Sequence, residues 1–117
     1  FFEAETFLRF RDRCDKAGIT APIIPGVLPI ENWKGVRNFA TRCGATIPPI
    51  LDEAFTKAAR DDREHLLATA QATELCSELL DEGADSLHFY TLNKPDLTRD
   101  VCHALGIQPE ASLQNVA

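Results

Sequence analysis

The segment PIIPGVLP, residues 22–29, places the tightest constraint on how this chain can fold. Ile23 and Ile24 favour a strand, but a proline cannot donate a ladder hydrogen bond in the middle of a sheet. We therefore expect a short strand that stops at Pro25-Gly26, where Gly26 lets the backbone approach a neighbour closely. An isolated Pro-Gly is also compatible with a stiff turn and nothing more.

Outside this segment, helical and extended patterns alternate along the chain. Apolar residues recur at helical spacing in four segments, which predict helices over 4–18, 31–44, 61–83 and 95–106. Strands are predicted over 21–26 and 86–93, and FFE (1–3) is interpreted as the end of another. Pro48-Pro49 limits segment 46–55 to a turn and a short helix at most. This alternation is typical of parallel β/α structure, in which ligands lie at the carboxyl ends of the strands.

Residues at the predicted helix ends support these boundaries. A glycine follows each helix, where a left-handed residue is favoured: Gly18, Gly44, Gly83 and Gly106. Asp61 and Glu64 have the spacing of a capping pair for the third helix. Pro95 suits the first turn of the last helix.

Composition and charge exclude several classes of protein. The chain has 117 residues, the length of one domain, and a net charge of −6. Nucleic-acid binding is not expected because it requires a positive surface, and no stretch reaches the roughly 20 apolar residues of a membrane span. Without a secretory signal peptide, the four cysteines are expected to be reduced thiols of a cytoplasmic protein. Because the chain starts at Phe1 and lacks methionine, we expect further sequence upstream.

Two side chains are candidates for ligand contact. Lys94 follows the second predicted strand, at the face where ligands are expected, and can meet an anionic group. Phe39 lies on the apolar side of its helix, where the pattern alone favours core packing. The three histidines match no zinc spacing, and the sequence contains no phosphate-binding loop or nucleophile elbow.

Three stretches, in their order and separation, resemble the methylenetetrahydrofolate reductase family. They are FFEAETFLRFRDRC (1–14), PIIPGVLPI (22–30) with Asn32 two residues on, and LHFYTLNK (87–94) followed by CHALG (102–106). The resemblance covers residues 1–109 and leaves 110–117 as a polar tail. It implies an α/β fold in which this chain forms the last three strand–helix units of a (β/α)8 TIM barrel, which takes about 250 residues when complete.

The resemblance also implies an activity, a cofactor and partners. Members of the family pass a hydride from NADH or NADPH to FAD, and then from the flavin to 5,10-methylenetetrahydrofolate. The product, 5-methyltetrahydrofolate, serves one-carbon and methionine metabolism. A folate and NAD(P)H are therefore the expected partners, and the sequence leaves open which nucleotide is used. The exposed sheet edges of so short a piece predict a homo-oligomer.

Substrate-contacting residues of the family carry over one at a time. A phenylalanine on the helix after the PIIPG strand packs against bound folate or nicotinamide, and here it is Phe39. The family's HFYTLNR supplies an arginine that contacts substrate, whereas Lys94 keeps the charge but loses the bidentate fork. Leu92, on the same segment, is expected to line the site. Some members have a substrate-contacting glutamine where this chain has Gly35.

The family's catalytic acids and most of its flavin contacts lie upstream of Phe1. The resemblance therefore implies no catalytic residue in this chain, no assignable cofactor-binding residue, and no activity from the 117-residue chain alone. An alternative is a non-catalytic β/α module for interaction or regulation that has kept the scaffold. Another is a barrel enzyme with a phosphate-binding last unit, but such a unit prefers a glycine-rich turn where TLNKP (91–95) stands. Upstream strand–helix units that carry the acids would decide for the reductase.

Overall fold

A computed structural model describes residues 1–109, which form five helices and two short strands. The helices are α1 (Ala4–Lys16), α2 (Trp33–Arg42), α3 (Pro49–Arg60), α4 (Glu64–Asp81) and α5 (Asp96–Ala104). The strands are β1 (Gly26–Val27) and β2 (His88–Phe89), which pair in parallel with Gly26 opposite His88 and Val27 opposite Phe89. The predicted polar tail, 110–117, lies outside the described residues.

The mixed α/β character and the parallel pairing of the two strands agree with the sequence, but the strands are shorter than predicted. Pairing begins at Gly26 instead of stopping there, so the predicted strand end at Pro25-Gly26 is wrong. Pro25 needs no N–H in this position because it acts as an acceptor: the His88 N–H donates to the Pro25 carbonyl at 3.0 Å. The ladder continues where the Tyr90 N–H donates to the Val27 carbonyl at 2.9 Å.

A closed barrel is not formed by the described residues, in which only β1 and β2 pair. The expected strand end at FFE (1–3) is also absent, since these residues are not in the sheet. A strand is defined by its hydrogen-bonded neighbour, and the two-stranded sheet offers no partner to that segment.

Helix boundaries were predicted well at their C-terminal ends and poorly at one N-terminal end. The four glycines that follow helices have φ between 70° and 90°, the left-handed conformation expected of them. The prediction that Asp61 and Glu64 form a capping pair is wrong, because Arg63 is the N-cap residue of α4 and its side chain makes no capping hydrogen bond. The Glu64 carboxylate instead accepts a hydrogen bond from the Trp33 N–H at 3.2 Å, which ties the start of α4 to α2.

Segment 46–55 contains more helix than its two prolines suggested. Pro49 occupies the first helical position of α3, where the absent N–H costs nothing, and the helix then runs for 12 residues. The second proline therefore starts a helix that is longer than the turn and short helix predicted from the sequence. This helix brings Phe55, which is fully buried, against α2 and α4.

Trp33 is the centre of the smaller of two apolar clusters. Its ring stacks on Phe55 with centroids 5.1 Å apart, and its Nε1–H donates to Asp52 Oδ1 at 2.8 Å. Arg37 Nε lies 3.1 Å from the same oxygen. These contacts hold α2 to α3, so the side of α2 that faces away from α3 is left open.

The larger cluster packs α1, α4 and α5 against the two strands. Its buried members are Ala4, Phe7, Val27, Ala72, Leu75, Cys76, Leu79, Ala84 and Val101. At the surface between α4 and α5, His65 Nε2 lies 2.9 Å from Asp100 Oδ2, and this hydrogen bond lowers the pKa of the Asp100 carboxyl. Within residues 1–109, no helix is long and apolar enough to cross a membrane.

Candidate functional site

Two adjoining cavities lie beyond the carboxyl ends of the paired strands. We call the first the apolar cavity: it measures about 660 Å³ and is lined by uncharged residues that include Phe2, Gly26, Phe39, Cys43 and Tyr90. We call the second the charged cavity: it measures about 220 Å³ and contains Glu31 and Lys94, the only charged residues among those described that line it. Both cavities share the walls formed by Leu28, Gly35, Val36, Tyr90 and Leu92.

All four residues selected from the sequence converge on these cavities. Phe39 lines the apolar cavity, Lys94 lines the charged cavity, and Gly35 and Leu92 line both. The parallel pairing explains this, because the loops that follow β1 and β2 emerge side by side at one edge of the sheet. Residues separated by more than fifty positions in the sequence are thereby brought to one place.

Phe39 does not pack in the core, contrary to the helical pattern. Its side chain is 54% exposed, whereas Ala40, the next residue on α2, is buried. The core side of α2 is occupied by the stack of Trp33 on Phe55, so the face that carries Phe39 points into the cavity. An exposed aromatic ring in a concave apolar surface is suited to packing against a planar ligand.

Gly26 is required by the ring of Tyr90, which lies against it. A Cβ atom at Gly26 would stand 2.7 Å from Tyr90 Cε2, well inside contact distance. The Tyr90 ring also packs edge-on against His88, with centroids 4.7 Å apart. The expected close approach at Gly26 is therefore confirmed, and its partner is a side chain that forms the wall between the two cavities.

Leu92 stands in an unfavourable backbone conformation. Leu92 and Asn93 have φ values of 49° and 62°, and the Lys94 N–H donates to the Thr91 carbonyl at 2.8 Å. Positive φ at both central residues of a closed turn is the feature of type I′, which favours asparagine or glycine over leucine. The turn holds Leu92 outward, 75% exposed, and returns the chain so that Lys94 lines the charged cavity.

We expect Leu92→Asn to raise the free energy of unfolding by up to about 1 kcal/mol, because asparagine tolerates the left-handed region and little apolar area is lost. Urea denaturation measures the change. Leu66→Asn is the control, since Leu66 is 66% exposed within α4, where asparagine is the poorer helix former. A loss of stability in Leu92→Asn equal to that of the control would contradict the strain at Leu92.

Gly35 lines both cavities with its backbone and places no side chain in them. Its N–H donates to Asn32 Oδ1 at 2.9 Å, which caps the N-terminus of α2. A Cβ atom there would lie 3.4 Å from that same oxygen, an ordinary contact, so sterics do not demand glycine. The absence of a side chain leaves the cavity wall flat at this point.

The chemistry available in the cavities is binding chemistry. A planar ring fits the apolar cavity, whose lining among residues 1–109 includes no charged side chain, and Lys94 lies in the adjoining cavity. No carboxylic acid of the described residues lines the apolar cavity. Within the part of the chain that the structure describes, no group of three or more histidine, cysteine, aspartate or glutamate residues could hold a metal ion.

Sequence reasoning missed two residues of this site, Tyr90 and Glu31. Tyr90 follows the last paired residue of β2, but the register pairs Gly26 with His88, so the packing of the Tyr90 ring against Gly26 could not be predicted from it. Glu31 carries no signal in the sequence alone. It becomes visible because its Oε1 atom lies 3.6 Å from Lys94 Nζ, across the gap between the two loops.

Comparison with known proteins shows which protein family this chain belongs to. The family model described as methylenetetrahydrofolate reductase matches residues 1–106. This chain belongs to the methylenetetrahydrofolate reductase family. The resemblance of its three sequence stretches to that family is therefore confirmed, and the match covers nearly all of the described residues.

Individual relatives agree with the family match. The chain is 36% identical to the 5,10-methylenetetrahydrofolate reductase of Pectobacterium carotovorum over 96% of its own length, and 40% identical to that of Escherichia coli over 93%. It is 39% identical over 92% of its length to a probable methylenetetrahydrofolate reductase (NADPH) of Caenorhabditis elegans. The chain spans only 38%, 37% and 16% of these three relatives, respectively.

Proposed function

We propose that this chain forms part of the substrate-binding wall of a flavin-dependent methylenetetrahydrofolate reductase. The reaction reduces 5,10-methylenetetrahydrofolate to 5-methyltetrahydrofolate with NAD(P)H, by way of FAD. One observation carries the proposal: in a chain of this family, the exposed ring of Phe39 lines an apolar cavity that adjoins Lys94 at the carboxyl ends of parallel strands. Ligands of parallel β/α folds occupy that edge of the sheet.

We also propose that this chain forms the last three strand–helix units of a (β/α)8 TIM barrel that is completed by further strand–helix units. In its favour are the parallel pairing of β1 with β2 and the long crossover of α2, α3 and α4 between them. Two paired strands in isolation would make a marginal sheet, which favours completion by further strands.

Within that site, the residues of this chain bind and orient substrate. Phe39 and Leu92 offer apolar surface to a ring such as pterin or nicotinamide, which would exclude water from one face of it. Lys94 attracts an anionic group of the ligand, a carboxylate or a phosphate. When bound, FAD supplies the hydride transfer chemistry. The apolar cavity fits a planar ring but not a pyrophosphate, so we assign no flavin-binding residue in this chain.

A non-catalytic β/α module is the second candidate function. The absence of a carboxylic acid from the apolar cavity's described lining favours it, since the reaction needs a proton donor that this part of the chain does not supply. A homo-oligomer and a cytoplasmic location remain predictions for either candidate. Gel filtration with light scattering checks the first, and fractionation of cells checks the second.

The deciding experiment measures NAD(P)H oxidation that depends on 5,10-methylenetetrahydrofolate. It uses the polypeptide in its full natural length with FAD, and the 117-residue chain with FAD in parallel. We expect turnover from the first and none from the second. Turnover by neither polypeptide would favour the non-catalytic module. Turnover by the 117-residue chain would contradict the proposal that the catalytic acids lie outside this chain.

Protection of Cys43 gives an independent readout of binding. Cys43 is exposed and lines the apolar cavity, whereas Cys102 is half-buried and lines neither cavity. Burial raises the pKa of the Cys76 thiol to about 11, so Cys76 should stay unmodified in the folded chain. We expect 5-methyltetrahydrofolate at about ten times its Kd to slow alkylation of Cys43 about tenfold, because about one-tenth of the sites then remain free.

Peptide mass spectrometry follows each thiol separately, so Cys102 serves as the internal control. Its alkylation rate should not change with ligand. Equal slowing of Cys43 and Cys102 would indicate that the ligand stabilises the whole fold, and no slowing of Cys43 would place the ligand elsewhere.

A further inference from the structure

The position of Glu31 has a consequence for the kind of ligand that the site accepts. We propose that Glu31 is a specificity-determining residue whose carboxylate competes with an anionic group of the ligand for Lys94. This inference rests on the proposed function, because it takes Lys94 as the residue that receives the ligand's carboxylate or phosphate.

The geometry places the two charges on opposite loops at the mouth of one cavity. Glu31 lies between β1 and α2, and Lys94 lies between β2 and α5. Their charged atoms, Oε1 and Nζ, are 3.6 Å apart, and both residues line the charged cavity. The side chains are 50% and 67% exposed, so a ligand can reach either of them.

The backbone on both sides of this pair is held in place. The Lys94 N–H is bound to the Thr91 carbonyl within the tight turn. Glu31 precedes Asn32, whose side chain caps α2 through the N–H of Gly35. An anionic ligand must therefore displace the Glu31 carboxylate or share Lys94 with it, since only the two side chains are free to rotate.

The energetic consequence depends on ligand charge. Lys94 is a single point charge, already opposed by one carboxylate, so the pair presents little net charge to a ligand. Glu31 repels a ligand in proportion to the negative charge placed near Lys94, and leaves an uncharged ligand unaffected. Exposed ion pairs are weak, and removing the competitor should therefore strengthen binding by about two- to fivefold and not more.

The test is Glu31→Gln in the polypeptide of full natural length, with the bound FAD kept reduced so that none of the ligands exchanges a hydride with it. Kd is measured for NADH, for 5-methyltetrahydrofolate and for uncharged dihydronicotinamide riboside, at about 50 and about 500 mM salt. These arms separate a phosphate source of the anion from a carboxylate source. We expect the variant to bind at least one anionic ligand two- to fivefold more tightly, with the gain shrinking at high salt and the uncharged ligand unchanged.

Glu53→Gln is the matched control, because Glu53 is an exposed glutamate on α3 that lines neither cavity. Lys94→Ala is measured in the same series and should weaken the same anionic ligand. If Lys94→Ala weakens binding and Glu31→Gln leaves it unchanged or weaker, the inference is overturned while the proposed function stands. If no ligand binds, or if neither substitution affects any anionic ligand, the role of Lys94 fails and the inference fails with it.

Discussion

Replacing Phe39 with alanine is expected to weaken folate or nicotinamide nucleotide binding by roughly 10- to 100-fold, the effect of losing the burial of one phenylalanine side chain against a ligand. The free energy of unfolding should fall by no more than about 1 kcal/mol, because the ring is 54% exposed and little of its burial is lost with the fold. KM for both substrates and urea denaturation of the same preparation measure the two effects.

Phe10→Ala is the control for Phe39→Ala. Phe10 is 55% exposed on α1, so the two substitutions remove the same side chain at nearly the same exposure. We expect Phe10→Ala to leave KM unchanged. An unchanged KM in Phe39→Ala would remove Phe39 from the site, whereas a large loss of stability would show that it packs in a core after all.

The helical pattern favours core packing of Phe39, but the structure leaves its ring exposed. Helical spacing places Trp33, Phe39 and Ala40 on one broad face, and it cannot tell which part of that face another element will cover. The covering element is α3, whose Phe55 stacks on Trp33. The sequence predicts at most a short helix after Pro48-Pro49 and does not show which part of α2 it covers, so the exposure of Phe39 could not be predicted.

The glycine signals at the ends of the helices were read correctly. The glycines that end helices have the predicted left-handed φ, since only the chain's own geometry is involved. Strand lengths were overestimated, because a ladder exists only where a neighbour supplies donors and acceptors. Pro25 illustrates the point: it blocks a ladder that needs its N–H, but β2 uses only its carbonyl.

The candidate site could be predicted only for residues whose position follows from the end of a strand. Lys94 and Leu92 follow a strand, and parallel strands bring such residues to one edge. Glu31 and Tyr90 could not be assigned from spacing, because their roles depend on contacts across the two loops. Family resemblance gave Phe39 a role, and the exposure of its ring is the physical feature that is consistent with that role.

Gly26→Ala is expected to lower the free energy of unfolding by about 1 kcal/mol, the low end of overpacking costs, because the Tyr90 ring is half exposed and its displacement gives up packing against His88. The new methyl group would stand 2.7 Å from Tyr90 Cε2. Relief requires the ring to swing into the cavities, or β1 to move and strain the hydrogen bond from His88 to Pro25. Either movement alters the wall that the apolar and charged cavities share, so substrate binding should weaken as well.

A double-mutant cycle with Tyr90→Ala separates this clash from a general intolerance of alanine at position 26. Once the ring is removed, Gly26→Ala should cost less than about 0.5 kcal/mol, because Gly26 is not among the glycines with positive φ and alanine loses less conformational freedom than glycine in a strand. Gly35→Ala is the matched control: a Cβ there meets Asn32 Oδ1 at 3.4 Å, and alanine within α2 should stabilise by about 0.5–1 kcal/mol. The opposite outcome is that Gly26→Ala lowers the free energy of unfolding by the same amount with and without the tyrosine. In that case the Tyr90 ring does not explain the glycine, and the backbone pairing of β1 with β2 does.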